Sequence, residues 1–184
     1  PRGLRTLEIE SELPLPLTSV TGLPSSVTEL ILSSCEIGDV NTWIEGLPPN
    51  LTKLHVDYIE FTDQEFKTPF PSSLVYLKFP FGSGGENGHS SLFRCLPRGL
   101  AHLKLVLDDA SGQYEEWDNT GLIDEDLALL PRGLLTATLP PSGKLSHKAL
   151  PLLPPNLISF FAGASNDCIR CWRQGEETYE YQQI

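Results

Sequence analysis

A proline returns along this chain at a nearly constant interval, and each copy opens a segment with the same spacing of apolar residues. Successive intervals are 23, 24, 23, 26, 34 and 23 residues, so four of the six lie within one residue of 23. The prolines are Pro1, Pro24, Pro48, Pro71, Pro97, Pro131 and Pro154. Self-similarity at a fixed period of roughly 20–50 residues is typical of repeat proteins. We interpret the 26- and 34-residue steps as insertions.

Three apolar columns follow each proline with the spacing L-x-x-L-x-L. The first column holds Leu4, Val27, Leu51, Leu74, Leu100, Leu134 and Leu157. The second holds Leu7, Leu30, Leu54, Leu77, Leu103, Ala137 and Phe160. The third holds Ile9, Leu32, Val56, Phe79, Leu105, Leu139 and Ala162. The last two columns are two residues apart, which is the period of a strand with one buried face. We therefore predict seven parallel strands in one continuous sheet.

A small residue two positions after each proline indicates a tight turn before each strand. These residues are Gly3, Ser26, Asn50, Ser73, Gly99, Gly133 and Asn156. Proline presets φ near −65°, and glycine or asparagine tolerates positive φ, so we expect a turn built on both properties. The tetrapeptide Pro-Arg-Gly-Leu occurs three times, at residues 1–4, 97–100 and 131–134.

Short helical segments are predicted between the strands, on the opposite side of the repeat. Thr62 and Glu65 have the spacing of a capping box, and Asp124 and Ser146 are candidate N-caps before apolar residues. We expect one or two turns of α- or 3₁₀-helix in such segments. The glycine-rich stretch 82–91 lacks the Lys-Ser/Thr of a phosphate loop, and we interpret it as a flexible insertion.

The segment VTELILSSCEI at residues 27–37 fits the pattern L-x-x-L-x-L-x-x-C-x-L throughout. The chain therefore resembles a leucine-rich repeat protein up to about Gly163. Its Leu-Pro-x-x-Leu segments are also similar to repeats of bacterial effectors and to FNIP-type repeats, although the Phe-Asn-x-Pro signature is missing. The resemblance implies an α/β solenoid over residues 1–163, with residues 164–184 as a C-terminal cap or tail. In the family's Asn/Cys column only Cys35 conforms, which puts the regularity of the coil in question.

The composition restricts the classes of partner. The chain has 24 acidic and 13 basic residues, a net charge of −11, which argues against general binding to nucleic acid or anionic membranes. No apolar run approaches the roughly 18 residues of a membrane helix, so we predict no membrane insertion. The absence of Met, and a start inside a repeat, suggest a fragment of a longer protein. The compartment stays open, with an intracellular location slightly favoured.

Basic and aromatic side chains are concentrated on one predicted surface. The positions beside the second and third columns alternate away from the core. In copies three to five these positions hold Lys53, His55, Tyr76, Lys78, His102 and Lys104. Adjacent strands lie about 4.8 Å apart, so we expect one solvent-facing patch. Such a patch would suit an acidic or phosphorylated segment of another protein, although polar cover of a sheet would give the same composition.

Two other segments are weaker candidates. The acidic 34-residue step carries Tyr114 and Trp117, which are possible aromatic anchors of a second binding surface. Cys168 and Cys171 form a single C-x-x-C. One pair is half of a zinc site, so we predict no metal; a disulfide between them, or from one of them to Cys95, stays an alternative.

The sequence favours a binding protein over an enzyme. No Ser or Cys nucleophile is aligned beside the two histidines of the patch, and no motif requires a cofactor, so we predict neither catalysis nor a cofactor. The first hypothesis is a protein–protein interaction scaffold that binds its partner on the strand face. The alternative is a structural subunit of a large assembly, which contacts its neighbours through open ends and long loops.

Overall fold

The computed structural model describes residues 3–10, 15–16, 20–61, 65–81, 88–107, 122–140, 142, 144–163, 168–174 and 178–183. Its strands are β1 (Thr6–Ile9), β2 (Leu15–Pro16), β3 (Glu29–Ile37), β4 (Lys53–Phe61), β5 (Tyr76–Phe81), β6 (His102–Leu107), β7 (Thr136–Leu139), β8 (Ser159–Gly163), β9 (Cys168–Gln174) and β10 (Thr178–Gln183). Its helices are α1 (Val40–Glu45), α2 (Gly88–Cys95) and two 3₁₀ helices, Asp124–Leu129 and His147–Leu152.

Seven of these strands form one open, parallel sheet in chain order, as predicted. The order is β1-β3-β4-β5-β6-β7-β8, and every neighbouring pair within it is parallel. The second apolar column lies in register across the whole sheet, as the pairs Leu30–Leu54, Leu54–Leu77 and Leu77–Leu103 illustrate. The register also continues across both long steps, from β5 to β6 and from β6 to β7.

Three further strands were not predicted. The two-residue strand β2 pairs with β3 beside Cys35. Strand β9 pairs antiparallel with β8, and β10 pairs antiparallel with β9. Strands β9 and β10 therefore extend the sheet beyond the last parallel strand, while the assignment of residues 164–184 as a separate cap stays a prediction.

The predicted columns form the core. Leu54 and Leu77 have no exposed surface, and the first column is fully buried from Val27 to Leu157. Side chains from the connections, including Trp43, Phe93 and Leu127, complete the same apolar cluster.

The turn before each strand repeats, but among the described turns the predicted positive φ is found only at Gly3. The N–H of each first-column residue from Val27 to Leu157 donates to the carbonyl oxygen of its proline, at 3.0–3.1 Å. Gly99 and Gly133 do not adopt positive φ. At Gly133 small size matters because the turns stack: a Cβ there would lie 3.3 Å from the carbonyl oxygen of Arg98, whereas a Cβ on Gly99 would make an ordinary contact at 3.8 Å with that of Ser72. In three copies a polar side chain of the column donates a hydrogen bond to a carbonyl oxygen of the preceding turn: Ser26 to Leu4, Asn50 to Ser25 and Ser73 to Pro49, at 2.9, 3.1 and 2.8 Å.

A second backbone pattern joins the copies at the start of each strand. One carbonyl oxygen accepts hydrogen bonds from two consecutive N–H groups of the next copy. The accepting residues are Arg5, Thr28, Thr52, Val75, Ala101 and Leu135, one for each of six junctions. This arrangement requires copies stacked at a constant register, which the apolar columns supply.

The helices of the connections are short, and the connections differ from one another. Helix α1 begins after Asp39, whose carboxylate accepts a hydrogen bond from the Thr42 N–H at 2.6 Å. Residues 65–70 contain no helix, and Phe66 and Phe70 pack edge-on against Phe79. The predicted capping residue Thr62 lies outside the described residues. The prediction of a flexible insertion is wrong for residues 88–91, which form the first turn of α2.

Ser146 is an N-cap, as predicted, but Asp124 is not. The Ser146 hydroxyl accepts a hydrogen bond from the Lys148 N–H at 3.2 Å. Asp124 is instead the first residue of its 3₁₀ helix, and its carboxylate accepts hydrogen bonds from the N–H and hydroxyl of Ser146 at 2.7 and 2.6 Å. The carboxylate therefore ties two connections together, a role that local spacing does not reveal.

Candidate binding surface on the strand face

The register brings all six predicted site residues onto one face of three adjacent strands. Two rows run across β4, β5 and β6. The first row is Lys53, Tyr76 and His102, and the second is His55, Lys78 and Lys104. We call these residues, with their neighbours on the same side of the sheet, the strand face. The predicted juxtaposition is therefore present, although the side chains are not equally available.

The first row is a continuous series of contacts. Lys53 lies 3.9 Å from the Glu29 carboxylate, and its ammonium nitrogen is 5.8 Å from the centre of the Tyr76 ring. The rings of Tyr76 and His102 are 6.4 Å apart, and His102 Nδ1 is 2.9 Å from the Thr136 hydroxyl. All of these groups are half-buried, so the row presents an amphipathic surface whose one lysine is already paired with Glu29.

The second row contains a closed polar cluster. Lys78 Nζ donates hydrogen bonds to both carboxylate oxygens of Asp57, at 2.6 and 2.8 Å. His55 Nε2 lies 2.6 Å from Oδ2 of Asp57 and 2.8 Å from Lys78 Nζ. Burial raises the pKa of the Asp57 carboxyl, but the hydrogen bonds from Lys78 and His55 outweigh burial and hold that pKa below its ordinary value. The carboxylate therefore stays ionised and neutralises Lys78.

This cluster corrects the predicted charge of the surface. The Lys78 side chain is only 17 % exposed and its charge is paired within the protein. Lys53 is paired with Glu29. Lys104 is exposed, and within the described residues it forms no ion pair. A partner would therefore meet one available ammonium group beside Tyr76 and His102, not three.

Asp57 is the residue that the sequence analysis missed as a member of this group. It lies two positions after His55, so the period of two placed it on the same face. Its pairing with Lys78 depends on the next strand. The positions equivalent to Asp57 in the other copies are also less exposed than predicted, because two of them hold the buried residues Pro80 and Pro140.

The structure describes the other candidate residues only in part. Tyr114 and Trp117 lie outside the described residues, as do the side chains of Cys168 and Cys171. Cys95 is a buried free thiol, so a disulfide from Cys95 is not formed. Burial is the main factor that raises its pKa, with a further contribution from Glu65. Within the described residues, no group of acidic, His or Cys side chains could hold a metal ion, and no helix is long and apolar enough to cross a membrane.

No protein-family model, curated protein or solved structure matches the chain. The geometry of the described residues is therefore the basis for a functional proposal.

Proposed function

We propose that this chain is a leucine-rich-repeat solenoid that serves as a protein–protein interaction scaffold. The fold proposal is supported by a sheet whose strands follow one another in chain order and by apolar columns that repeat in every copy. It is also supported by the stacking of one turn on the next at successive junctions. In such an array each copy contacts its neighbours and adds to one long, rigid surface.

The observation that carries the functional proposal is the set of aromatic and basic groups on the strand face. Tyr76, His102 and Lys104 lie on two adjacent strands, without covering secondary structure among the described residues. Tyrosine is enriched in the centres of interfaces because it combines a large apolar ring with a polar tip. We propose that these three residues contact an acidic or phosphorylated segment of a partner.

The polarity of the strand face supports a defined orientation of that partner. Glu8 and Glu29 lie on the first two strands of the parallel series, β1 and β3, and Lys104 lies on the fifth, β6. An extended segment with its acidic part over Lys104 avoids the glutamates. Lys78, Asp57 and His55 hydrogen-bond to one another, which supports a structural role for that cluster. It also supports binding rather than catalysis as the role of the strand face.

The test compares the proteins that co-purify with the wild type and with two charge-matched variants. Lys104→Glu reverses the available charge on the strand face, and Lys144→Glu reverses an exposed charge in a connection. We expect the partner to be lost from the first variant and retained by the second. Once it is identified, its affinity should fall at least about tenfold, or about 1.4 kcal/mol. Tyr76→Ala should weaken the same partner.

A further variant separates the two predicted surfaces. If deletion of residues 112–121 abolishes binding while Lys104→Glu binds normally, the insertion is the site and the strand face is not. Lys78→Glu is unsuitable as a probe because it would place a second carboxylate against Asp57, where like charges destabilise the fold.

The structural-subunit alternative has one observation in its favour. Leu4 is 39 % exposed, and Leu7 and Ile9 are half-buried, whereas the same columns are fully buried in the following copies. An uncovered apolar edge beside β1 would accept another layer of protein. Sedimentation over a range of concentrations tests this alternative. The alternative predicts that the chain associates and that Leu4→Lys abolishes the association.

A further inference from the structure

A cleft of about 460 Å³ lies where the ends of α2 and the first 3₁₀ helix meet two successive turns. Its floor includes the buried side chains of Phe93, Leu96 and Leu130. Three exposed arginines, Arg94, Arg98 and Arg132, also line it. We call this the arginine cleft. The volume falls in the range of roughly 300–1,000 Å³ typical of ligand sites.

The repeated Pro-Arg-Gly-Leu tetrapeptide creates the arginine pair. Leu100 and Leu134 close the two turns by donating to the carbonyl oxygens of Pro97 and Pro131, at 3.1 and 3.0 Å. Arg98 and Arg132 therefore occupy the same position in consecutive turns. The equivalent residues of the other described copies are Ser25, Pro49, Ser72 and Pro155. Among the described turns, only these two place arginines side by side.

Glycine completes this local arrangement. Gly133 lies against the carbonyl oxygen of Arg98, where an added Cβ would sit at 3.3 Å. Because glycine follows both arginines in the sequence, neither turn carries a Cβ at the position where the two turns stack. The spacing thus follows from the stacking of two like turns.

The cleft is electrostatically unlike the rest of the protein. The chain has seven arginines and a net charge of −11, yet three of those arginines and no acidic residue line this cleft. Within the described residues none of the three forms an ion pair. A guanidinium group presents a planar fork of donors that matches a carboxylate or phosphate. The arrangement is therefore complementary to an anionic ligand.

We propose that the arginine cleft binds a short acidic peptide segment of a partner protein, with an apolar side chain on the floor and carboxylates at the arginines. The apolar floor favours this ligand over a free phosphate, which has no apolar part to bury there. The strongly acidic chain would also repel a long polyanion such as nucleic acid. This surface is separate from the strand face and does not depend on the function proposed for that face.

The probe is a fluorescein-labelled peptide with one leucine between two pairs of glutamates, titrated with the purified chain by fluorescence anisotropy. Arg98→Gln combined with Arg132→Gln should weaken binding about tenfold or more, because hydrogen bonds to charged groups are lost. The control combines Arg5→Gln with Lys144→Gln, which removes two exposed charges elsewhere, and should change affinity less than about twofold. Circular dichroism melting checks that both variants remain folded.

Further experiments test which chemical groups of the peptide are recognised and whether the cleft is occupied by a segment of the chain itself. Replacing the peptide's leucine with serine should weaken binding, and Lys104→Glu should not. Equal losses in the cleft variant and its control would overturn the proposal, because only long-range charge would be acting. Displacement of the peptide by inorganic phosphate at equal concentration would overturn the apolar part of the recognition. If the chain binds the peptide only after deletion of residues 112–121, the occupant is its own acidic segment and the proposal is wrong.

Discussion

The seven parallel strands with their turns (the strand layer) repeat regularly, whereas the segments that join successive strands (the connection layer) do not. The strand layer repeats the same apolar columns and the same double acceptor at every junction. The connection layer places an α-helix, a non-helical aromatic segment, a second α-helix and two 3₁₀ helices at equivalent places. The comparison indicates that the strands and their turns set the register. A connection needs only to bury apolar side chains and contact the next connection.

The polar ties of the connection layer illustrate that freedom. Asn41 in α1 accepts hydrogen bonds from the N–H groups of Lys67 and Thr68, at 2.7 and 3.0 Å. The Ser91 hydroxyl in α2 accepts one from the Phe66 N–H at 3.1 Å. These two junctions are tied by different residues. Hydrogen bonds with the same role therefore do not appear as a repeated residue in the sequence.

The largest expected effect breaks the strand layer. Leu77→Ala removes a fully buried side chain between Leu54 and Leu103, and should lower the free energy of unfolding by about 2–5 kcal/mol. Leu129→Ala, a half-buried residue of the connection layer, is the control and should cost less than half as much. Urea denaturation measures both. A loss below about 1 kcal/mol for Leu77→Ala would mean that the strand columns do not carry the stability we assign to them.

An intermediate effect is expected for a tie between connections. Asp126 is 5 % exposed, and its carboxylate accepts hydrogen bonds from the Ser90 hydroxyl and the Ile123 N–H. Asp126→Ala leaves both donors without this acceptor, so we expect a loss of about 1–3 kcal/mol in the same denaturation experiment. Glu125→Ala, at an exposed neighbouring position, should be nearly neutral. Equal effects of the two substitutions would contradict a specific tie between α2 and the 3₁₀ helix.

The smallest effect concerns the polar side of the strand layer and depends on pH. Asp57→Asn should cost about 1–2 kcal/mol at neutral pH, because Lys78 loses its ionised partner. The pKa of Asp57 is lowered in the folded protein. Its contribution is therefore present above the unfolded pKa of about 3.9 and is lost as pH falls through the folded pKa. Denaturation of both proteins from pH 7 to strongly acidic pH should show their difference shrinking below about pH 4.

If the difference in the free energy of unfolding between the wild type and Asp57→Asn does not change with pH, Asp57 acts by packing and not by charge. Lys78→Met in the wild-type and Asp57→Asn backgrounds then completes a double-mutant cycle. The coupling measured by that cycle should be favourable at neutral pH and absent at strongly acidic pH.

The sequence by itself determined the repeated part of the fold. The period of two and the spacing of about 23 residues placed the columns, and with them the neighbours of Leu54 and Leu77. The same register placed all six strand-face residues correctly. These properties were accessible because alternation along a strand is local geometry, and copies with the same apolar spacing stack in the same register. The turn was located correctly but only partly explained, since positive φ is found at Gly3 alone, whereas close stacking favours glycine at 133.

Only the tertiary structure decided which side chains satisfy one another. The pairing of Lys78 with Asp57 and the tie from Asp124 to Ser146 join residues 21 and 22 positions apart with no shared motif. The arginine cleft joins Arg98 to Arg132, which are 34 positions apart. Their contacts depend on side-chain reach across a junction and on the course of connections of unequal length. The antiparallel strands β9 and β10 were missed for a related reason: residues 168–183 lack the apolar columns, and their pairing follows from the open edge that β8 presents.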